Sequence, residues 1–194
     1  MILFSTGLSI TTIEQLSALY VTSDLEKWLL DALIEKGKVM QKALIHDWQP
    51  TLLADPSVTE LPANVHELCA LIMARNDYKT RLQKDAELTP PEEFDRHNLD
   101  RYEIVDRSGE TVTLFPNGMD VTDVDTNCIL AYNQDLESWV IGALLGLINR
   151  GKKKMLETWQ SIILADPDVS TMPATEAGLI NMIVARDDYK ARNN

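Results

Sequence analysis

The chain has 194 residues, 45% of them hydrophobic and 25% charged, which is the balance of an ordinary globular protein. Its formal charge of −12 disfavours direct binding of a phosphate backbone or an anionic membrane. No apolar run approaches the roughly 20 residues that a bilayer span needs.

The most informative feature is internal repetition. Residues 1–81 lie on 112–192 without a gap, and 29 of the 81 positions are identical. The matches include Leu3-Phe4 with Leu114-Phe115, Gly7 with Gly118, and Trp28 and Trp48 with Trp139 and Trp159. They continue through Leu53-Ala54-Asp55-Pro56 on Leu164-Ala165-Asp166-Pro167 and Tyr78-Lys79 on Tyr189-Lys190. A register held over that length implies one structural unit present twice by tandem duplication. The expected organisation is a first helical unit at 1–81, an acidic connector with a first hairpin strand at 82–111, and a second helical unit at 112–194. The connector carries −5 against −3 and −4 for the two units, and is the most acidic part per residue.

In chain order, each unit opens with an extended apolar stretch, Ile2-Leu3-Phe4 or Val112-Thr113-Leu114-Phe115. A glycine turn follows at Gly7 or Gly118, and Thr11 or Thr122 then stands at the N-cap of a short helix, near 12–20 or 123–132. The strongest helical periodicity comes next and predicts one long helix per unit, about 24–53 and 135–164. Ser23 and Glu26 form a capping-box pattern at the first of these. Both helices must stop before Pro56 and Pro167, since the residue before proline resists the helical region. A last helix is expected from after Asn64 or Thr175 to about 80 or 191. Between the units, Leu82–Arg101 reads as an exposed connector. Tyr102–Val105 and Thr111–Phe115 read as a hairpin, to which Ile2-Leu3-Phe4 could add a third strand. The fold class is therefore mainly α, a tandem pair of units (short strand, short helix, long helix, C-terminal helix) with a small β element near 2–4 and 102–115.

The four tryptophans sit on the apolar face of the long helices and are expected in the core. The candidate partner-binding surface is the repeated basic and aromatic face Arg75, Tyr78 and Lys79, with its copy Arg186, Tyr189 and Lys190. The competing interpretation is the polar end of a packed helix. Lysines at 36, 38 and 42, and the Arg150, Lys152, Lys153, Lys154 group, read as solvated faces. Asp120, Asp123 and Asp125 lack the glycine and twelfth-position glutamate of a calcium loop. Cys69 and Cys128 fall at non-equivalent positions and suggest neither a disulfide nor a thiolate metal site. His46, His66 and His97 are isolated, and no phosphate loop, nucleophile elbow or zinc motif is present.

No cofactor, catalytic residue or metal ligand is expected. Met1 leads almost directly into the repeat, without a basic region or a cleavage site, so a signal peptide is not expected. The expected setting is the cytoplasm or a particle assembled there. The expected function is a non-catalytic structural or assembly protein, an oligomer contacting protein subunits of its own or another kind within a larger complex such as a viral (phage) particle. Alternatives are an acidic inhibitor or regulator of a nucleic-acid-binding protein, and a small hydrolase or transferase.

Overall fold

The computed structural model describes residues 1–88, 109–122 and 135–193. Among the described residues the fold is mainly helical, with 65% of them in helix, and has a small antiparallel strand element. The strands are β1 (Ile2–Leu3), β2 (Leu8–Thr11), β3 (Thr111–Leu114) and β4 (Met119–Asp120). The helices are α1 (Thr12–Leu19), α2 (Leu25–Leu53), α3 (Val65–Ala74), α4 (Asn76–Leu88), α5 (Leu136–Leu164), α6 (Glu176–Ala185) and α7 (Asp187–Asn193). The expected helix at 123–132, the strand at 102–105 and most of the connector lie outside the described residues, as do Asp123, Asp125, Cys128 and His97. Among the described residues, no helix is long and apolar enough to cross a membrane.

The long helices α2 and α5 run unbroken over 29 residues each, where periodicity places them. Gly37 does not interrupt α2. The cap of α2 is Asp24 rather than Ser23: the Asp24 carboxylate accepts from the Lys27 N–H at 2.9 Å. Asp135 does the same for Ser138 at 3.0 Å on α5. Each cap satisfies one of the orphan donors of a first helical turn. The Glu26 side chain, expected in a capping box, instead accepts from the Phe115 N–H.

The last helix of each half is broken in two, a departure from the single helix expected. Arg75 (φ −68°, ψ 143°) separates α3 from α4, and Arg186 (φ −69°, ψ 140°) separates α6 from α7. The physical reason lies in spacing. Ile72 and Tyr78 are six residues apart, which on one straight helix would place them about 120° from each other. The break brings both into one core, and Ile183 and Tyr189 repeat the arrangement.

The chain divides into two compact units that interleave along the sequence. Among the described residues, one holds 1–3, 30–88, 120–122 and 135–139, and the other 4–29, 109–119 and 140–193. The core of the first unit is Leu44, Trp48, Leu52, Leu68, Cys69, Ile72 and Tyr78. The core of the second is Ile13, Met155, Trp159, Ile163, Ile180, Ile183 and Tyr189. Trp48 and Trp159 are buried as expected, whereas Trp28 and Trp139 are only half-buried. Lys36 covers the Trp139 ring at 5.9 Å.

In the second unit β2 pairs antiparallel with β3 in the register Leu8↔Leu114, Ser9↔Thr113, Ile10↔Val112, Thr11↔Thr111. The ladder continues as Thr12 N–H donates to the Glu110 carbonyl at 2.7 Å. The capping box of Thr11 and Glu14 then starts α1. This helix crosses α5 so closely that a Cβ at Gly151 would lie 1.6 Å from the Ser17 carbonyl oxygen. Only glycine permits that approach. The N-terminal strand β1 pairs with β4, and the Val121 N–H donates to the Met1 carbonyl at 3.0 Å. Strands from the start of the chain thus pair with strands beyond residue 110. The third-strand expectation named Ile2-Leu3-Phe4 in this role. Ile2 and Leu3 pair with 119–120 rather than with the strand at 111–115, and Phe4 has already left the extended region at φ 48°. Phe115, 111 residues on, shares that φ of 48°, and Gly7 and Gly118 follow at 81° and 83°. Both phenylalanine rings are buried, which holds a backbone conformation that L-residues otherwise avoid.

Candidate functional site: two arginine-braced corners

Where α2 ends, Leu53-Ala54-Asp55-Pro56 turns the chain, and proline prevents the helix from continuing. The Asp55 carboxylate folds back on its own turn, accepting from the Ser57 N–H at 2.9 Å and the Ser57 hydroxyl at 2.6 Å. Its other oxygen accepts from Arg75 Nη1 at 2.7 Å. The Arg75 guanidinium presents its remaining edge to Asp77, with Nε and Nη2 at 2.9 and 2.8 Å from the two oxygens. Such fork-on-fork pairing fixes orientation as well as distance. Asp77 also accepts from the Tyr78 N–H at 2.9 Å, which sets the tyrosine at the start of α4. Its ring meets Trp48 edge-on, the centroids 5.3 Å apart.

The second corner repeats this within the other unit. Arg186 Nη1 lies 2.6 Å from Asp166, and its Nε and Nη2 lie 2.9 and 3.0 Å from Asp188. Asp166 accepts from the Asp168 N–H at 3.0 Å, and Asp188 from the Tyr189 N–H at 2.9 Å. Tyr189 meets Trp159 at 5.4 Å.

The titration of these groups follows from the contacts. The Ser57 hydroxyl and then Arg75 hold Asp55 down at about 2. Arg186, with the Asp168 N–H, holds Asp166 below the usual carboxylate range. Asp77 and Asp188 are lowered first by the arginine each one grips. Both guanidiniums are held more firmly protonated, chiefly by Asp77 and Asp188. Tyr189 is raised by burial and by its neighbour Tyr20. Each arginine therefore spends its fork on two carboxylates, and the arrangement acts as a brace between the corner and the kink.

Of the face singled out in the sequence, Arg75, Tyr78, Arg186 and Tyr189 are thus engaged inside the chain. Lys79 and Lys190 are exposed, Lys190 with Asp187 at 3.6 Å. The lysine-rich faces also find local partners: Lys38 with Glu35, Lys153 with Glu157, Lys152 with Glu176, and Lys154 over the Tyr20 ring. Among the described residues, no group of three or more His, Cys, Asp or Glu side chains could hold a metal ion.

Two features escaped sequence reasoning. One is the outward surface of the corners. Leu53 and Leu164 are 68% and 65% exposed, beside exposed Ala54 and Pro56 in one corner and Ala165 and Pro167 in the other. The tetrapeptide identity was visible, and the helical period that turns Leu52 and Ile163 inward leaves Leu53 and Leu164 off the apolar face, but their exposure at the end of the helix is set by the turn that follows. The other is an open cleft of about 670 Å³ in the second unit. It is walled by Tyr20, Val21, Thr22 and Ser23 on one side and by Tyr189 and Lys190 on the other.

No family model, curated protein or solved structure matches the chain.

Proposed function

We propose that this chain is a non-catalytic structural or assembly protein, built by tandem duplication of a unit of about 80 residues, that joins protein subunits within a larger complex such as a phage particle. The observation that carries this reading is the pair of exposed leucines. Buried residues can remain alike in two copies of a fold because both cores need the same shapes. Leu53 and Leu164 have no such reason, being about two-thirds exposed at the same point of two matching corners. A lone exposed leucine needs no explanation. The same one beside the same alanine and proline, each on a braced turn, suits a contact made twice.

The braces support the reading energetically. A contact surface gains affinity when little order has to be imposed on binding, and the Asp–Arg–Asp bracing supplies that order in advance. The four corner aspartates owe their lowered titrations to these braces and to neighbouring hydroxyl and N–H groups, which is a structural use of charge.

The test is native mass by light scattering across a concentration range, for the parent and for Leu53→Ser/Leu164→Ser. The parent is expected above the monomer mass and the double variant at it, with unchanged helicity. Single variants should fall between. A parent and double variant of identical mass at every concentration would overturn the corners as contact surfaces.

A further inference from the structure

Among the described residues, the N-terminal arm, Met1–Leu19, is fastened at strand and core positions to residues remote from it in sequence. β2 pairs along its length with β3. Glu110 N–H donates to the Thr12 hydroxyl across 98 positions of sequence. Ile13 enters a core with Met155, Trp159 and Ile180, and the Ser17 carbonyl lies against Gly151. The partner strand of β1 is equally distant.

The arm's connection to the rest of its own half is slight by comparison. The segment Tyr20–Asp24 separates the end of α1 from the start of α2. Its backbone bonds are local, Tyr20 to Leu16 and Val21 to Ala18. Tyr20 packs on the second core with its ring stacked on Tyr189, while Val21, Thr22 and Ser23 border the open cleft of about 670 Å³.

We propose that this arm is exchangeable and that its partner is a second copy of this chain. The arm of one copy seats on β3, α5 and α6 of the next, and that copy's arm takes the vacated place. The inference rests on the assembly reading above and names the element that would assemble copies of this chain. Its warrant is identity of contacts. Every bond and packing partner of the seated arm is reproduced when the same arm arrives from another copy, so exchange sacrifices no arm contact. What differs is the course of the hinge and the competition between a tethered arm and a free one. A short flexible tether gives an effective concentration on the order of millimolar. Exchange therefore grows with protein concentration, and a hinge too short to turn back favours it further.

The strand register supplies a probe. The bond from Thr12 N–H to the Glu110 carbonyl marks that pair as hydrogen-bonded. Alternation along an antiparallel ladder then makes Ser9 and Thr113 a non-hydrogen-bonded pair, with Cα atoms about 4.5 Å apart. Both side chains are exposed, and that spacing suits a disulfide.

The experiment is the full-length double variant Ser9→Cys/Thr113→Cys, with each single variant as a control for Cys69 and Cys128. It is refolded either dilute or at roughly millimolar concentration, then oxidised and run without reductant. Dilute refolding should give a monomer closed by an intrachain bond. Concentrated refolding should give a covalent dimer that neither single variant forms. An independent test deletes Val21–Ser23, which leaves two residues between the helices and should raise the dimer fraction at least tenfold in dilute refolding. Inserting four glycine and serine residues after Thr22 should lower it. Concentrated refolding that yields only intrachain-linked monomer overturns the proposal, as does a folded deletion variant that stays monomeric. A closed monomer that still assembles would sink arm exchange and leave the corner contacts standing. A parent that is monomeric at all concentrations would sink both.

Discussion

The two braced corners invite comparison because their local geometry is nearly the same and their surroundings are not. Corresponding arginine–aspartate distances agree within 0.2 Å, and the tryptophan–tyrosine contacts are 5.3 and 5.4 Å. Yet Tyr189 is also stacked on Tyr20 at 6.5 Å and 12°, a ring brought by α1 from the far end of the chain. The residue 111 positions after Tyr20 is Ala131, which offers no ring. The α1 crossing also needs Gly151, whose counterpart 111 positions earlier is Met40. A short-range motif is thus the same twice, whereas the long-range crossing of α1 on α5 is fitted to its own partner.

Truncating the central tryptophans should have the largest effect. Trp159→Ala and Trp48→Ala should each cost about 3–5 kcal/mol in denaturant unfolding. Trp159 should lie at the upper end, being 1% exposed against 7%. Equal losses would mean that the α1 contacts add nothing to the second core.

Gly151→Ala should follow at about 1–3 kcal/mol or more, because the new methyl meets backbone rather than a yielding side chain. Met40→Ala, at a half-buried site, should lose less. Thermal melting of the pair checks this, and a neutral Gly151→Ala would remove the close crossing from the account.

The corners should separate in acid. A carboxylate whose folded pKa is depressed stabilises the fold above its unfolded value and loses that contribution as pH falls. For Asp55 the window runs from the ordinary 3.8 down to about 2. The leading cause is the Ser57 hydroxyl, which Asp168 replaces in the other corner. Ser57→Ala should therefore raise the titration of Asp55 and move the first corner's acid loss to higher pH, with Asp166 unmoved. Carboxyl chemical shifts followed through the titration would show it, and an unmoved Asp55 would refute the assignment of cause.

The smallest stability effect should come from Leu53→Ser and Leu164→Ser, within about 0.5 kcal/mol each. Their consequence should appear in native mass rather than in melting. A large loss of stability in either would show that the exposed leucines serve the fold.

Much of this was legible in advance because it is local. The caps at Thr11, Asn64 and Thr175, the span of α2 and α5, and the stops before Pro56 and Pro167 all follow from signals within a few residues. The inward placement of Trp48 and Trp159 follows from a single period. The kink at Arg75 was not legible, because its cause lies partly in Asp55, 20 residues away. The helical period put Leu52 and Ile163 on the apolar face, but it did not say that Leu53 and Leu164 would stand about two-thirds exposed at a braced turn.

By itself the sequence established the 81-residue match at an offset of 111, the helical character and the ends of the long helices, since propensity and periodicity act over a turn or two of chain. Which surface receives the N-terminal arm was decided only by the tertiary structure. Two stretches as alike as residues 1–11 and 112–122 offer near-equivalent strand partners, so local rules cannot choose between them. The choice falls to packing across the whole chain, where Ile13 completes a core with Trp159 and Gly151 leaves room for the Ser17 carbonyl.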